Sequence, residues 1–148
     1  MSTPTVPDQP VQLSDDVALT DRLASLLVRA EGRDFWMFFL DADDVEVTTP
    51  MACGDLPADP HARVRARGIG VCSAAELLSV RIADLMTRHD IAQVVFVWER
   101  RGGAGIEDDE RRWAHALAEQ CAARGARVRC QFLLHDRGIR VLAPDDYL

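Results

Sequence analysis

The chain has 148 residues, of which 48% are hydrophobic, and a formal net charge of −7. A chain of this length folds as one domain and hides roughly 68–70% of its unfolded surface. A mean hydropathy of −0.08 without a long apolar run excludes a transmembrane helix. The acidic balance argues against broad nucleic-acid binding, because a polyanion rewards clustered cations and repels an acidic surface.

All 17 basic residues are arginine, with no lysine or asparagine, a bias that fits a GC-rich bacterial genome. The start has neither a basic segment nor an apolar stretch, so no signal peptide is expected and the chain is placed in the cytoplasm. Residues 1–13 carry Pro4, Pro7 and Pro10 and few apolar groups, and are expected to be a disordered tail before a single domain over 14–148. Ser14 or Thr20 can cap a first helix with Leu19, Leu23, Leu26, Leu27 and Ala30 on its apolar face, ended by Glu31-Gly32.

Phe35 to Leu40 is apolar throughout, as expected of a strand covered on both faces. Asp41 to Asp44 forms a turn, and Val45 to Thr48 alternates as the partner strand of a hairpin. The stretch from Pro50 to Gly70 is rich in proline and glycine, and its elements are not resolved by pattern. Within it, His61 to Arg67 carries Arg63, Arg65 and Arg67, which read as a solvated loop or a small anion contact.

Ser73-Ala74-Ala75-Glu76 has capping-box spacing and opens a helix with Leu78, Ile82, Leu85 and Met86 on its apolar side. Ile91 to Trp98 is a central strand. A helix over about 107–124 presents Trp113, Ala116, Leu117 and Cys121, with Gly125 as its stop. Val128 to Leu134 and Ile139 to Leu142 form a closing hairpin around a turn at His135-Asp136-Arg137-Gly138. Helices between strands imply a three-layer α/β fold, an α-β-α sandwich around a mixed five-stranded sheet.

The best candidate site is the turn Glu99-Arg100-Arg101-Gly102-Gly103-Ala104-Gly105. It lies at the carboxyl end of a buried strand, where α/β proteins gather their ligand sites. Glycines let a backbone approach a ligand, and a helix start offers free amides to a small anion. Glu99, Arg100, Arg101, Gly102, Gly103 and Asp108 are the candidate ligand-binding residues. The P-loop lysine is absent, which argues against a nucleoside triphosphate. Glu107 to Glu110 already occupy the positive helix end. The plainer alternatives are a flexible surface turn, or a salt bridge of Arg100 or Arg101 with Asp108 or Asp109 that organises a binding surface.

His61, His89, His115 and His135 match no zinc spacing. Cys53, Cys72, Cys121 and Cys130 form no CxxC pair and read as free thiols in or near the core. Asp41, Asp43, Asp44 and Glu46 lack calcium-loop spacing and read as a solvated turn.

The element order resembles the JAB/MPN domain, within it the RadC type. Arg33 to Ala42 is similar to that family's opening strand with its Leu-Asp turn, Ala92 to Gly103 to the strand that ends in His-x-His-Pro-Ser-Gly, and Gly125 to Leu142 to its closing strand pair. The resemblance implies the JAB-like, cytidine-deaminase-like topology with strand order 2-1-3-4-5. It also implies a zinc-hydrolase scaffold, in which two histidines and an aspartate hold the ion and a glutamate activates its water. Here Trp98 and Arg100 stand where the histidines would be. Only Asp108 or Asp109 is available for the Ser-x-x-Asp helix start. Neither an indole nor a guanidinium offers a lone pair to a metal. A guanidinium at 4 Å also repels the ion by about 4 kcal/mol per unit charge at an effective dielectric near 20.

The expectation is therefore a non-catalytic domain, with no metal and no cofactor, that binds a protein or a small anionic ligand. Homodimerisation through Phe35, Trp36 and Trp98 is compatible with it. The alternatives are a metal-independent hydrolase with Glu99, Asp108 or Asp109 as acid/base groups beside Arg100, and a RadC-like role near DNA through Arg63, Arg65 and Arg67.

Overall fold

The computed structural model describes residues 12–54 and 56–148. Its elements run α1 (Asp16–Leu27), β1 (Asp34–Leu40), β2 (Met51–Ala52), β3 (Arg63–Ala66), β4 (Gly70–Ser73), α2 (Ala74–Arg88), β5 (Gln93–Glu99), α3 (Asp108–Ala123), β6 (Val128–His135) and β7 (Gly138–Leu142), with a 3₁₀ turn at Pro144–Asp146.

β5 is buried at every residue, which explains its continuous apolar sequence. It lies in the middle of a five-stranded sheet of order β2-β1-β5-β6-β7. β1 pairs antiparallel with β5, and β6 runs parallel to β5. A parallel neighbour needs a crossover, which α3 supplies. The mixed five-stranded α/β sheet is as expected.

Alternation along the strands makes two cores. Phe35, Met37, Phe39, Val94, Phe96, Trp98 and Leu133 pack against α2 and α3, which bring Ile82, Met86, Trp113, Leu117 and Cys121. Phe38, Leu40, Val95, Val97, Phe132 and Leu134 pack on the opposite face with Leu19 and Leu23 of α1.

Several local expectations are corrected. α1 is capped by Asp15, whose Oδ1 accepts from the Ala18 amide at 2.7 Å, while Thr20 donates to the Asp16 carbonyl inside the helix. The helix ends at Leu27 with Val28 at φ +44°, short of Glu31-Gly32. The hairpin partner of β1 is Met51–Ala52 and not 45–48, which contributes only the bridge of Leu40 with Glu46. The reason is local: Asp41 Oδ1 accepts from the amides of Asp43 and Val45, and Asp44 sits at φ +64°. These contacts curl the chain before a ladder can form.

Arg63–Ala66 is strand, not loop, and pairs with β4 in a separate two-stranded sheet. His135 closes β6 and is not a turn residue. The loose tail expected at residues 1–13 falls mostly outside the described residues, but Leu13 is 2% exposed and its amide donates to the Asp44 carbonyl at 2.8 Å. Among the described residues, no helix is long and apolar enough to cross a membrane.

Candidate functional site

β5 ends at Glu99, and the next side chain turns inward. The Arg100 guanidinium is buried. Its Nε lies 2.8 Å from Glu110 Oε2 and 3.7 Å from Glu107 Oε1. The Glu110 contact is ionic and not an aligned hydrogen bond, because Nε finds no acceptor in hydrogen-bonding geometry among the described residues. Nη1 donates to the carbonyls of Gly103 (2.8 Å) and Arg101 (3.5 Å), and Nη2 donates to that of Gly105. Arg140 takes the Ala104 carbonyl at 2.6 Å. A buried ion pair recovers its desolvation cost only when further hydrogen bonds satisfy the charged groups. The carbonyls of the turn provide them.

The glycines serve this arrangement. Gly102 adopts φ +120°, and a Cβ there would stand 3.0 Å from Arg100 Nη1. The turn wraps a guanidinium of its own chain. The amide of Glu107 at the start of α3 donates to Glu110 Oε1 at 2.9 Å, so the positive helix end is also occupied from within.

The salt bridges differ from those expected. Arg100 pairs with Glu110 and Glu107, and not with Asp108 or Asp109. Arg101 pairs with Asp136 at 2.7 Å, and its hydrogen bond holds the Asp136 carboxyl below the ordinary range. The Asp108 side chain is 92% exposed and faces Arg111 at 3.3 Å, so it does not join the turn.

Glu99 works on the other side of the sheet. Its Oε2 accepts from the amides of Glu31 (2.8 Å) and Gly32 (3.1 Å), and its Oε1 from Trp36 Nε1 (2.7 Å). These donors stabilise the carboxylate and tie the α1–β1 connection to β5.

At the same end of the sheet, on the α3 side, a small cleft of about 40 Å³ lies among Phe35, Leu56, Trp98 and Trp113. The rings form a row, with centroids of Phe35 and Trp98 4.4 Å apart and of Trp98 and Trp113 6.2 Å apart. Both indole N–H groups are satisfied inside the fold. Trp98 Nε1 donates to Gln131 Oε1 and Trp113 Nε1 to the Pro57 carbonyl, each at 2.7 Å, and Gln131 Nε2 donates to the Ala114 carbonyl at 3.0 Å. The cleft therefore meets no free indole donor, and only a small part of the rings, since Trp98 and Trp113 are buried. Arg33, Asp34, Asp109 and Glu110 also line it, and Asp34 Oδ1 accepts from the amides of Phe35 and Gly54.

The sequence reading missed this cleft and the role of Glu110. The spacing Glu107-x-x-Glu110 carried the signal for the latter, since it matches a carboxylate reaching back to an N-cap amide. Of the three residues expected at a dimer surface, Phe35 and Trp98 are 1% and 5% exposed and offer no apolar surface to a second copy, while Trp36 is half-buried.

The donor set at the strand end does not fit zinc. Trp98 is hydrogen-bonded within the core and Arg100 is a paired cation. Among the described residues, no group of three or more His, Cys, Asp or Glu is placed to hold a metal ion. His115 faces Glu119 at 3.2 Å, and His135 Nδ1 accepts from the Arg137 amide at 3.3 Å. Compared with models of known protein families and with curated proteins, the chain matches none.

Proposed function

We propose that the chain is a non-catalytic, cytoplasmic binding module of JAB/MPN-like, RadC-type layout, which takes part of a partner protein or a small ligand into the Trp98–Trp113 cleft. One observation carries the reading: at the strand end where a hydrolase of that layout needs metal ligands, the Arg100 guanidinium is locked by Glu110 and the carbonyls of its own turn. A fixed cation there excludes a divalent ion and blocks approach to the strand end.

The cleft beside it is small and sets apolar walls beside the charged groups of Arg33, Asp34, Asp109 and Glu110, the mixture from which binding sites are built. Asp34 and Asp109 outnumber Arg33 among the lining charges not already paired inside the fold, which favours a cationic or neutral group over the small anion expected from the turn. The metal-independent hydrolase has less support, since the Glu99 oxygens are held by three donors and Asp108 points to solvent.

Metal analysis of purified protein after zinc exposure and dialysis, together with peptidase and isopeptidase assays, tests the proposal. The expected result is zinc far below one equivalent per chain and no turnover. Zinc near one equivalent, or turnover abolished by Arg100→Ala in a folded variant, overturns it.

A further inference from the structure

The β3–β4 hairpin presents a surface that the fold does not use. Val64, Ala66 and Cys72 turn toward the interior, whereas Arg63 and Arg65 are exposed on the other side and Arg67 is exposed at the turn. The register sets Arg63 opposite Ser73 and Arg65 opposite Val71. The outer face is thus a row of arginines beside Val71, 53% exposed, and Ile69, 41% exposed.

Most arginines elsewhere have a carboxylate partner. Among the described residues, Arg63, Arg65 and Arg67 have none within ion-pair distance. Three uncompensated cations this close together stand out in a chain of net charge −7. The hairpin also has no third strand among the described residues, and an unpaired edge is a template for another strand.

We propose that β3 accepts an extended acidic segment of a partner protein as an added strand, with carboxylates at every second position. Side chains at i and i+2 of such a strand share one face. Directly opposite residues then stand about 4.5–5.5 Å apart across the pair. Alternating Asp or Glu therefore meets Arg63 and Arg65, where a guanidinium binds a carboxylate through two parallel hydrogen bonds. Backbone pairing supplies affinity, and the alternating side chains supply specificity. Nucleic acid is the poorer fit. The row offers few phosphate contacts, its neighbours Ile69 and Val71 are aliphatic where stacked bases need aromatic platforms, and the chain as a whole is acidic. The hairpin uses none of the elements that build the aromatic cleft, so the two binding surfaces succeed or fail separately.

The test is fluorescence anisotropy at low salt with the full chain and a labelled peptide of alternating Glu and Thr. Controls are a peptide of the same composition with its Glu residues consecutive, and labelled single-stranded and duplex oligonucleotides. The alternating peptide should bind more tightly than every control. Added salt should weaken it, and binding should slow amide hydrogen exchange in β3. Arg63→Glu with Arg65→Glu should lower its affinity roughly tenfold. Both side chains are exposed, and circular dichroism checks that the variant folds; Arg63→Gln with Arg65→Gln should show a smaller loss. Equal binding of the two peptides, tighter binding of an oligonucleotide, unchanged affinity in the charge-reversed variant, or no binding each overturn the proposal.

Discussion

Arg100 and Glu110 form an ion pair almost wholly removed from water, with Nε and Oε2 2.8 Å apart and side chains 5% and 7% exposed. Such a pair adds little stability relative to apolar residues of the same volume, but losing one member is costly because the other charge stays buried. Glu110→Ala should destabilise the protein by about 3–5 kcal/mol, read as a lower urea midpoint. Arg100→Met combined with Glu110→Leu should cost less than the sum of the single changes, because no unpaired charge remains. Strict additivity would show that the two side chains are not coupled.

Gly102 is fixed by two constraints, its φ of +120° and the 3.0 Å approach that a Cβ would make to Arg100 Nη1. Gly102→Ala should cost about 1–3 kcal/mol. Gly103→Ala, which meets nothing within 4 Å and has no positive φ, should cost distinctly less. Thermal melts of the two variants side by side decide the point.

Glu99 serves three donors at once. Glu99→Gln keeps the shape but removes the charge and turns an amide N–H₂ toward one of those donors. A loss of about 1–3 kcal/mol is expected, with a shift in Trp36 emission as its indole N–H loses a charged acceptor. If ligand binding in the cleft disappears while stability is unchanged, Glu99 acts on ligand and not on the fold.

Burial pushes the Cys121 thiol up to about 11 and the Cys130 thiol up to about 12 from an ordinary 9.0. The folded state therefore prefers the neutral thiol. The stability linked to it is complete below pH 9 and is lost as the pH rises toward those values. Iodoacetamide at pH 8 should label Cys121 and Cys130 slowly in native protein and quickly in urea, since the thiolate is the reactive form. Fast native labelling of Cys121 would contradict its burial.

Much of the scaffold could be read directly. The apolar run from Val94 to Trp98 could only be a strand covered on both faces, and Ser73 caps α2 through the Glu76 amide as its spacing implied. The edge strand was hidden because Met51 and Ala52 are both exposed and carry no alternation, while Val45 to Thr48 alternates without forming a ladder. Arg63-Val64-Arg65-Ala66 does alternate, but its charge suggested solvent and concealed a strand. At the site, the strand-to-helix junction was legible, and its internal partners were not. Which acid meets Arg100, and which rings line the cleft, depend on how α3 lies across the sheet, and local pattern does not encode that.

The pairing of β1 with β5 also governs how the molecule is assembled. Leu40 lies beside Gln93, so β2, the arginine-bearing hairpin and α2 all fall within the chain that must close before the central ladder exists. Closing a segment of that length loses entropy before any contact compensates. Refolding should therefore be limited by this encounter and run on the millisecond-to-second scale of topologies dominated by distant contacts, with α2 and α3 gaining helicity before β1 finds its place.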